Sequence, residues 1–162
     1  LDGLAVAAAR QFGGRPTQRA TLHLKLAFLG DVGSSQLPDV LAAGERVAAA
    51  PFTLHVDRLG FWPHNHLLWA GCAPVTGLDL LVARLDAALS ATGHPLPARG
   101  RNFRPHLTLV RKIYGTPPQA EIDRLLADDL PEWRCARFRL VESRLSASGP
   151  GYSTLAEFAL AA

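Results

Sequence analysis

Methionine is absent from the 162-residue chain, and only two cysteines are present. Cys72 and Cys135 are far apart and form no CxxC pair or Cys/His ligand spacing, so the sequence predicts neither a disulfide framework nor a zinc module. This cysteine usage fits a reducing cytoplasm best. Because the chain contains no methionine, we expect that residues precede Leu1 in the full protein.

Long apolar runs are also absent. No run approaches the roughly 20 residues that span a bilayer, and the first residues lack the basic start and cleavage site of a signal peptide. We therefore expect a soluble protein without a membrane partner. We also expect a monomer. Hydrophobic residues nevertheless make up 48% of the chain and charged residues 19%, which is enough to bury the core of one domain.

Lysine is the scarce cation. Lys25 and Lys112 are the two lysines among 17 Lys and Arg residues, and the formal net charge is +3. The heavy use of alanine, leucine, arginine, glycine and proline suggests a GC-rich coding sequence, from which we expect a bacterial source.

Helical and alternating hydrophobic patterns occur in mixed order along the chain. The helices predicted are 4–12, a helix capped by Ser34 and Ser35, a helix from a Thr76/Asp79 capping box to Gly93, and a short one after Pro118. The strands predicted are 22–28, 52–56, a hairpin around Gly60, 106–110, 138–145 and 154–160. Several links have hairpin length, which favours an α+β fold with a largely antiparallel sheet.

One short motif occurs twice, about half the chain apart. HLKLAFLG occupies residues 23–30 and HLTLVRK occupies residues 106–112, which suggests two similar lobes. On a strand, residues two apart share a face, so His23 lies beside Lys25 and His106 beside Thr108. Two facing imidazoles can supply one general base and one general acid near neutral pH. A lysine and a threonine beside them can hold a phosphate oxygen.

These motifs resemble the two-histidine (2H) phosphoesterase superfamily, in particular its 2′-5′ RNA ligase-like branch. The resemblance implies a bilobal α+β fold in which two antiparallel sheets line a central cleft with helices outside, all within one domain over residues 1–162. It also implies a metal-independent, cofactor-free RNA 2′,3′-cyclic phosphodiesterase that leaves a 2′-phosphate, with reversible 2′-5′ ligation in some members. By motif position His23 is the proton donor, His106 is the proton acceptor and Thr108 is a phosphate ligand.

Two departures from this branch stand out. Its first motif normally carries threonine or serine where this chain has Lys25, which leaves open a non-catalytic RNA-end or nucleotide-binding module weakened by that lysine. A phosphodiesterase for another cyclic phosphate or for a 2′-5′ oligonucleotide is a further alternative. The branch also usually opens with a strand before its first helix, so we expect an N-terminal strand to be missing from this chain.

A basic segment surrounds the second motif, with five cations and no acid in residues 99–112. We expect it to attract RNA with a 2′,3′-cyclic phosphate end or a small cyclic nucleotide, although a solvated charged face would have the same composition. Arg111 is the expected phosphate ligand, even though strict alternation points it away from His106 unless the strand ends or bulges there. The candidates for RNA contact are Arg104, Phe103 and Lys112.

Two weaker signals remain. Trp62 and Tyr152 can stack on bases, but each is as readily explained by packing. His64-Asn65-His66 reads as HNH, yet no further ligands accompany it, so we expect no metal site there.

Overall fold

The computed structural model describes residues 1–96, 104–126, 130, 132–146 and 149–161. The helices are α1 (Asp2–Phe12), α2 (Leu37–Glu45), α3 (Thr76–Ala91) and α4 (Gln119–Asp123). The strands are β1 (Arg15–Pro16), β2 (Phe52–Leu54), β3 (Val56–Trp62), β4 (Leu67–Cys72), β5 (His106–Arg111), β6 (Trp133–Cys135), β7 (Arg137–Ser146) and β8 (Gly149–Ala159). Short 3-10 turns occupy Arg19–Thr21 and Pro63–Asn65.

The chain divides into two compact units. Unit 1 comprises Leu1–Lys25, His55–Ala73 and Arg104–Glu132, and unit 2 comprises Leu26–Leu54, Pro74–Phe103 and Trp133–Ala162. Each unit has its own cluster of buried apolar side chains. In the part of the chain that the structure describes, no helix is long and apolar enough to cross a membrane.

Unit 1 contains a four-stranded antiparallel sheet in the order β1-β5-β4-β3. Helix α1 packs on it through Ala5 and Ala8, whose small side chains let the helix approach Leu68 and Leu109 closely. Ile122 of α4 is buried in the same cluster. One face of this sheet is therefore the hydrophobic core of unit 1, and its other face is left for polar and aromatic residues.

Unit 2 packs α2 and α3 with the long β7–β8 hairpin, and β2 pairs with β6. Leu81, Leu85 and Leu89 recur at helical spacing along α3 and are buried. The rings of Phe138 and Phe158 stack with centroids 4.9 Å apart. This core holds the two helices and the hairpin together as a single packed body.

Most predicted elements are present, but the predicted strand over residues 22–28 is wrong. Only Leu24 forms a bridge, antiparallel to Leu107. On this edge of β5, β1 pairs with Val110 and Arg111, and in the register of the bridge, residues 26–28 lie beyond His106, where β5 begins. A stretch of only a few residues remains for the 22–28 segment, which is too short for a regular strand.

The two predicted serine and threonine caps are also wrong. Helix α2 starts after Gln36, whose side chain instead accepts a hydrogen bond from the Gly33 amide at 2.9 Å. Helix α3 has Val75 at its N-cap, so Thr76 lies one position too late to cap it. The sequence patterns also do not predict the short strands β1 and β6.

Candidate active site

The bridge between Leu24 and Leu107 brings the two histidine motifs together within unit 1. One residue to either side, the antiparallel register sets His23 opposite Thr108 and Lys25 opposite His106. Leu107 is buried, so these four polar residues share the opposite side of the backbone. Each histidine thus faces the polar residue of the other motif, across the pair of segments.

Both histidines have one ring nitrogen engaged in the same way. Nδ1 of His23 lies 2.8 Å from the Thr21 carbonyl oxygen, and Nδ1 of His106 lies 2.8 Å from the Arg104 carbonyl oxygen. Because a carbonyl oxygen only accepts, Nδ1 carries the proton in each contact, and Nε2 is the ring nitrogen that can gain or lose a proton. His94 of unit 2 makes the same contact with Thr92, so this contact orients a ring without identifying a catalyst.

The face of the unit 1 sheet that carries His106 and Thr108, here called the site face, continues across β4 and β3. Gly71 lies opposite His106, and Trp69 lies opposite Thr108. On β3, Gly60 lies opposite Trp69. The site face therefore carries polar residues on β5 and glycine and tryptophan on β4 and β3.

Arg111 reaches the site face through a β-bulge. Trp69 pairs with Thr108 and Leu68 with Val110, so Leu109 has no partner on β4. The extra residue reverses the alternation, and Arg111 pairs with Leu67, two residues from Trp69 on the same side of β4. The bulge that would turn Arg111 toward His106 is thus present.

Of the three residues predicted to contact RNA, two are exposed and one lies outside the described residues. Arg104 is exposed, and its carbonyl oxygen orients His106. Lys112 is exposed just after the end of β5, in a left-handed conformation with φ 59°. Phe103 lies outside the described residues, and so does the basic part of the segment that precedes it.

An ion pair borders the site face at the start of β3. Asp57 accepts hydrogen bonds from Nε of Arg58 at 2.6 Å and from the Ala73 amide at 2.9 Å. The hydrogen bond from Arg58 holds the pKa of Asp57 below its usual value. The same contact raises the pKa of Arg58, which lies opposite Gly71 in the sheet.

The residues that the structure describes contain no group of three or more His, Cys, Asp or Glu side chains that would hold a metal ion. His64 belongs to the 3-10 turn after β3, and His66 follows that turn. Nδ1 of His66 lies 3.0 Å from the Ile113 carbonyl oxygen, so that nitrogen is engaged in tying the turn to the residues after β5.

An α+β fold that presents two histidines and a threonine on one sheet face has the arrangement expected of a two-histidine phosphoesterase. The family model described as the 2′-5′ RNA ligase superfamily matches residues 2–146. The chain belongs to the 2′-5′ RNA ligase superfamily.

Relatives and solved structures are similar over most of the chain. An RNA 2′,3′-cyclic phosphodiesterase of Thermus thermophilus is 32% identical over 156 residues, covering 91% of this chain and 76% of the relative. One of Aquifex aeolicus is 27% identical over 154 residues, covering 91% of this chain and 82% of the relative. The crystal structure of Escherichia coli LigT complexed with 3′-AMP matches with a TM-score of 0.75 at 25% identity, covering 98% and 89% of the two chains. The fold predicted from the motifs is confirmed as a mixed helix and antiparallel-sheet structure of this kind.

Sequence reasoning did not single out Trp69 as part of the site. The signal available was the pair of glycines, Gly60 and Gly71, on the two strands of the predicted hairpin. Glycine in a strand often marks a close approach by another group. Only the register of the hairpin shows that one indole is that group.

Proposed function

We propose that the protein hydrolyses the 2′,3′-cyclic phosphodiester at RNA ends to a 2′-phosphomonoester. The observation that carries the proposal is the Leu24–Leu107 bridge, because it places both motif histidines and Thr108 on one side of the backbone. Membership of the superfamily and relatives named RNA 2′,3′-cyclic phosphodiesterase support this activity. Histidine is suited to proton transfer in either direction near neutral pH.

The proposed reaction uses one histidine for each proton. Nε2 of His106 accepts a proton from the attacking water, whose oxygen forms the new bond to phosphorus. Nε2 of His23 donates a proton to O3′ as the bond between phosphorus and O3′ breaks, which leaves the 2′-phosphate. The two histidines exchange protonation states in the step, and proton exchange with solvent restores them.

Three side chains are proposed to hold the non-bridging phosphate oxygens. Thr108 donates through its hydroxyl group from a position opposite His23. Arg111 is brought to the site face by the bulge at Leu109. Lys25 supplies a second cation opposite His106, where it pairs with the phosphate of the bound substrate.

RNA is a polyanion, and cationic side chains lie near the histidines. Arg104 precedes β5 and Lys112 follows it, and both are exposed. We propose that they attract the backbone of a single-stranded RNA end. The protein is proposed to act as a monomer in the bacterial cytoplasm. Reversible 2′-5′ ligation is the same displacement at phosphorus with an RNA 5′-hydroxyl attacking in place of water while the bond to O3′ breaks, and it is a second activity to assay.

The product of adenosine 2′,3′-cyclic phosphate hydrolysis tests the proposal. We expect 2′-AMP as the product, no 3′-AMP, and an unchanged rate in EDTA. His94→Ala should leave this rate unchanged and is the matched control for His23→Ala and His106→Ala, because His94 makes the same carbonyl contact in the other unit. Release of 3′-AMP, or a rate that EDTA abolishes and one metal restores, would contradict the proposed mechanism. Binding of the cyclic nucleotide without turnover would favour the non-catalytic module.

A further inference from the structure

Two tryptophans of unit 1 lie together beside His106, and they are named here the tryptophan platform: Trp62 and Trp69. Their ring centroids are 5.4 Å apart with an angle of 35° between the planes. Trp62 also meets the His106 ring edge to face, with centroids 4.6 Å apart at 75°. Both indoles are half-buried, so each retains surface that a ligand can reach.

Two glycines allow the Trp69 indole to lie close to the sheet. A Cβ atom on Gly60 would lie 2.3 Å from Cζ2 of Trp69, and a Cβ atom on Gly71 would lie 2.8 Å from Cζ3. These are distances at which no real Cβ fits, so the ring occupies the space above both glycines. Nε1 of Trp69 is buried without a hydrogen-bond partner among the described residues. Packing therefore holds the ring in this position.

The platform is next to the groups that are proposed to hold the phosphate. Trp69 lies opposite Thr108 in the sheet, and Gly71 beside it lies opposite His106. A nucleotide whose phosphate contacts Thr108 and His106 has its ribose and base within a few ångströms of that phosphate. A planar aromatic surface beside a phosphate site matches the π-face of a nucleobase.

We propose that the tryptophan platform stacks the nucleobase of the 2′,3′-cyclic nucleotide, an inference that rests on the proposed function. The ligand class is a nucleoside with a cyclic phosphate or a 2′-phosphate, of any base, since stacking uses a π-face that every base has. Trp62 forms the side of this subsite that contacts His106. The platform raises affinity for substrates that carry a base and is not required for the chemical step.

The alternative role is support of His106, because the edge contact of Trp62 also limits rotation of that ring. The two roles differ in the substrate on which they act. A base-stacking residue affects only ligands with a base and acts on KM. A residue that only positions His106 affects every cyclic phosphate and acts on kcat.

The test compares adenosine 2′,3′-cyclic phosphate with 1-O-methyl-ribose 2′,3′-cyclic phosphate, which has no base. In Trp62→Leu we expect KM for the nucleotide to rise roughly 5- to 150-fold, the range of one lost base stack. The KM for the base-free compound should change less than about twofold, and kcat for both should be kept within about threefold. Trp69→Phe should give a smaller rise with the same selectivity. Trp133→Phe in unit 2 is the matched control and should leave both substrates unaffected.

Equal losses on both compounds, or a fall in kcat alone, would overturn the proposal in favour of support of His106. An unchanged KM for the nucleotide in both platform variants would also overturn it. If the wild-type protein hydrolyses neither compound, the proposed function is wrong. The platform is then tested separately, by the binding of 2′-AMP. Quenching of tryptophan fluorescence by 2′-AMP should then persist in Trp133→Phe and weaken in Trp62→Phe. Equal quenching in these two variants would overturn the platform.

Discussion

Gly60→Ala is a sharp test of how the site face is built. The added Cβ would lie 2.3 Å from Cζ2 and 2.7 Å from Cε2 of Trp69. Since carbon atoms in ordinary contact are at least about 3.4 Å apart, the indole has to withdraw by about 1 Å, an overpacking change that typically costs about 1–3 kcal/mol. Gly60 has no positive φ, so this cost comes from space alone. We expect a lower midpoint of urea unfolding, together with a higher KM for the cyclic nucleotide.

Two further glycines supply matched controls for Gly60→Ala. A Cβ on Gly44 of α2 would lie 2.4 Å from Cζ of Phe158 in unit 2, so Gly44→Ala should lose stability by the same overpacking, less up to about 1 kcal/mol gained from helix propensity, while KM is unchanged. A Cβ on Gly3 of α1 meets nothing within 4 Å, so Gly3→Ala should gain up to about 1 kcal/mol from helix propensity. An unfolding midpoint of Gly60→Ala equal to the wild-type value would refute the placement of Trp69 above Gly60.

The remaining predictions address charge. Lys25→Thr, which restores the residue usual in the branch, should raise KM roughly tenfold or more by removing a charge-assisted contact to the bound phosphate, and should raise kcat because that contact stabilises the substrate more than the transition state. A lower kcat in steady-state kinetics would mean that Lys25 stabilises the transition state instead. Arg111→Ala should weaken binding of a cyclic-ended RNA and make the slope of log K against log salt shallower by roughly 0.7, whereas an unchanged slope would place Arg111 away from the phosphates. Asp57→Asn should lower the free energy of unfolding by less than about 1 kcal/mol at neutral pH, since solvent screens exposed ion pairs. Arg58 depresses the pKa of folded Asp57, so this stability is present above the unfolded value of about 4 and is lost as pH falls through the folded pKa. Urea unfolding should therefore show the wild-type advantage over Asp57→Asn vanish at low pH, and a constant advantage would contradict the assigned ion pair.

The sequence predicted the elements whose patterns are set locally. Leu81, Leu85 and Leu89 define α3 by spacing alone, and they are buried as expected. Strand alternation likewise predicted that His106 and Thr108 share a face of β5. Local pattern is sufficient for these features because each depends on residues within a few positions of one another.

Features that depend on pairing between distant segments could not be read from the sequence. The alternation in residues 22–28 is genuine, but in the register of the Leu24–Leu107 bridge, residues 26–28 lie beyond His106, where β5 begins. Arg111 faces the site only because Leu109 forms a bulge, and a bulge is invisible to a pattern of period two. Trp69 joins the site through register with Thr108, which depends on which residues of β4 and β5 pair.

The central claim is that His23 and His106 act as one acid/base pair, and a double-mutant cycle on kcat tests it most directly. Each of His23→Ala and His106→Ala should lower kcat for adenosine 2′,3′-cyclic phosphate by roughly 10²–10⁴, with circular dichroism unchanged. Because residues that act as a unit are strongly non-additive, the double variant should fall no more than about tenfold below the slower single variant. Losses that multiply in the double variant, or near wild-type kcat in either single variant, would contradict the account.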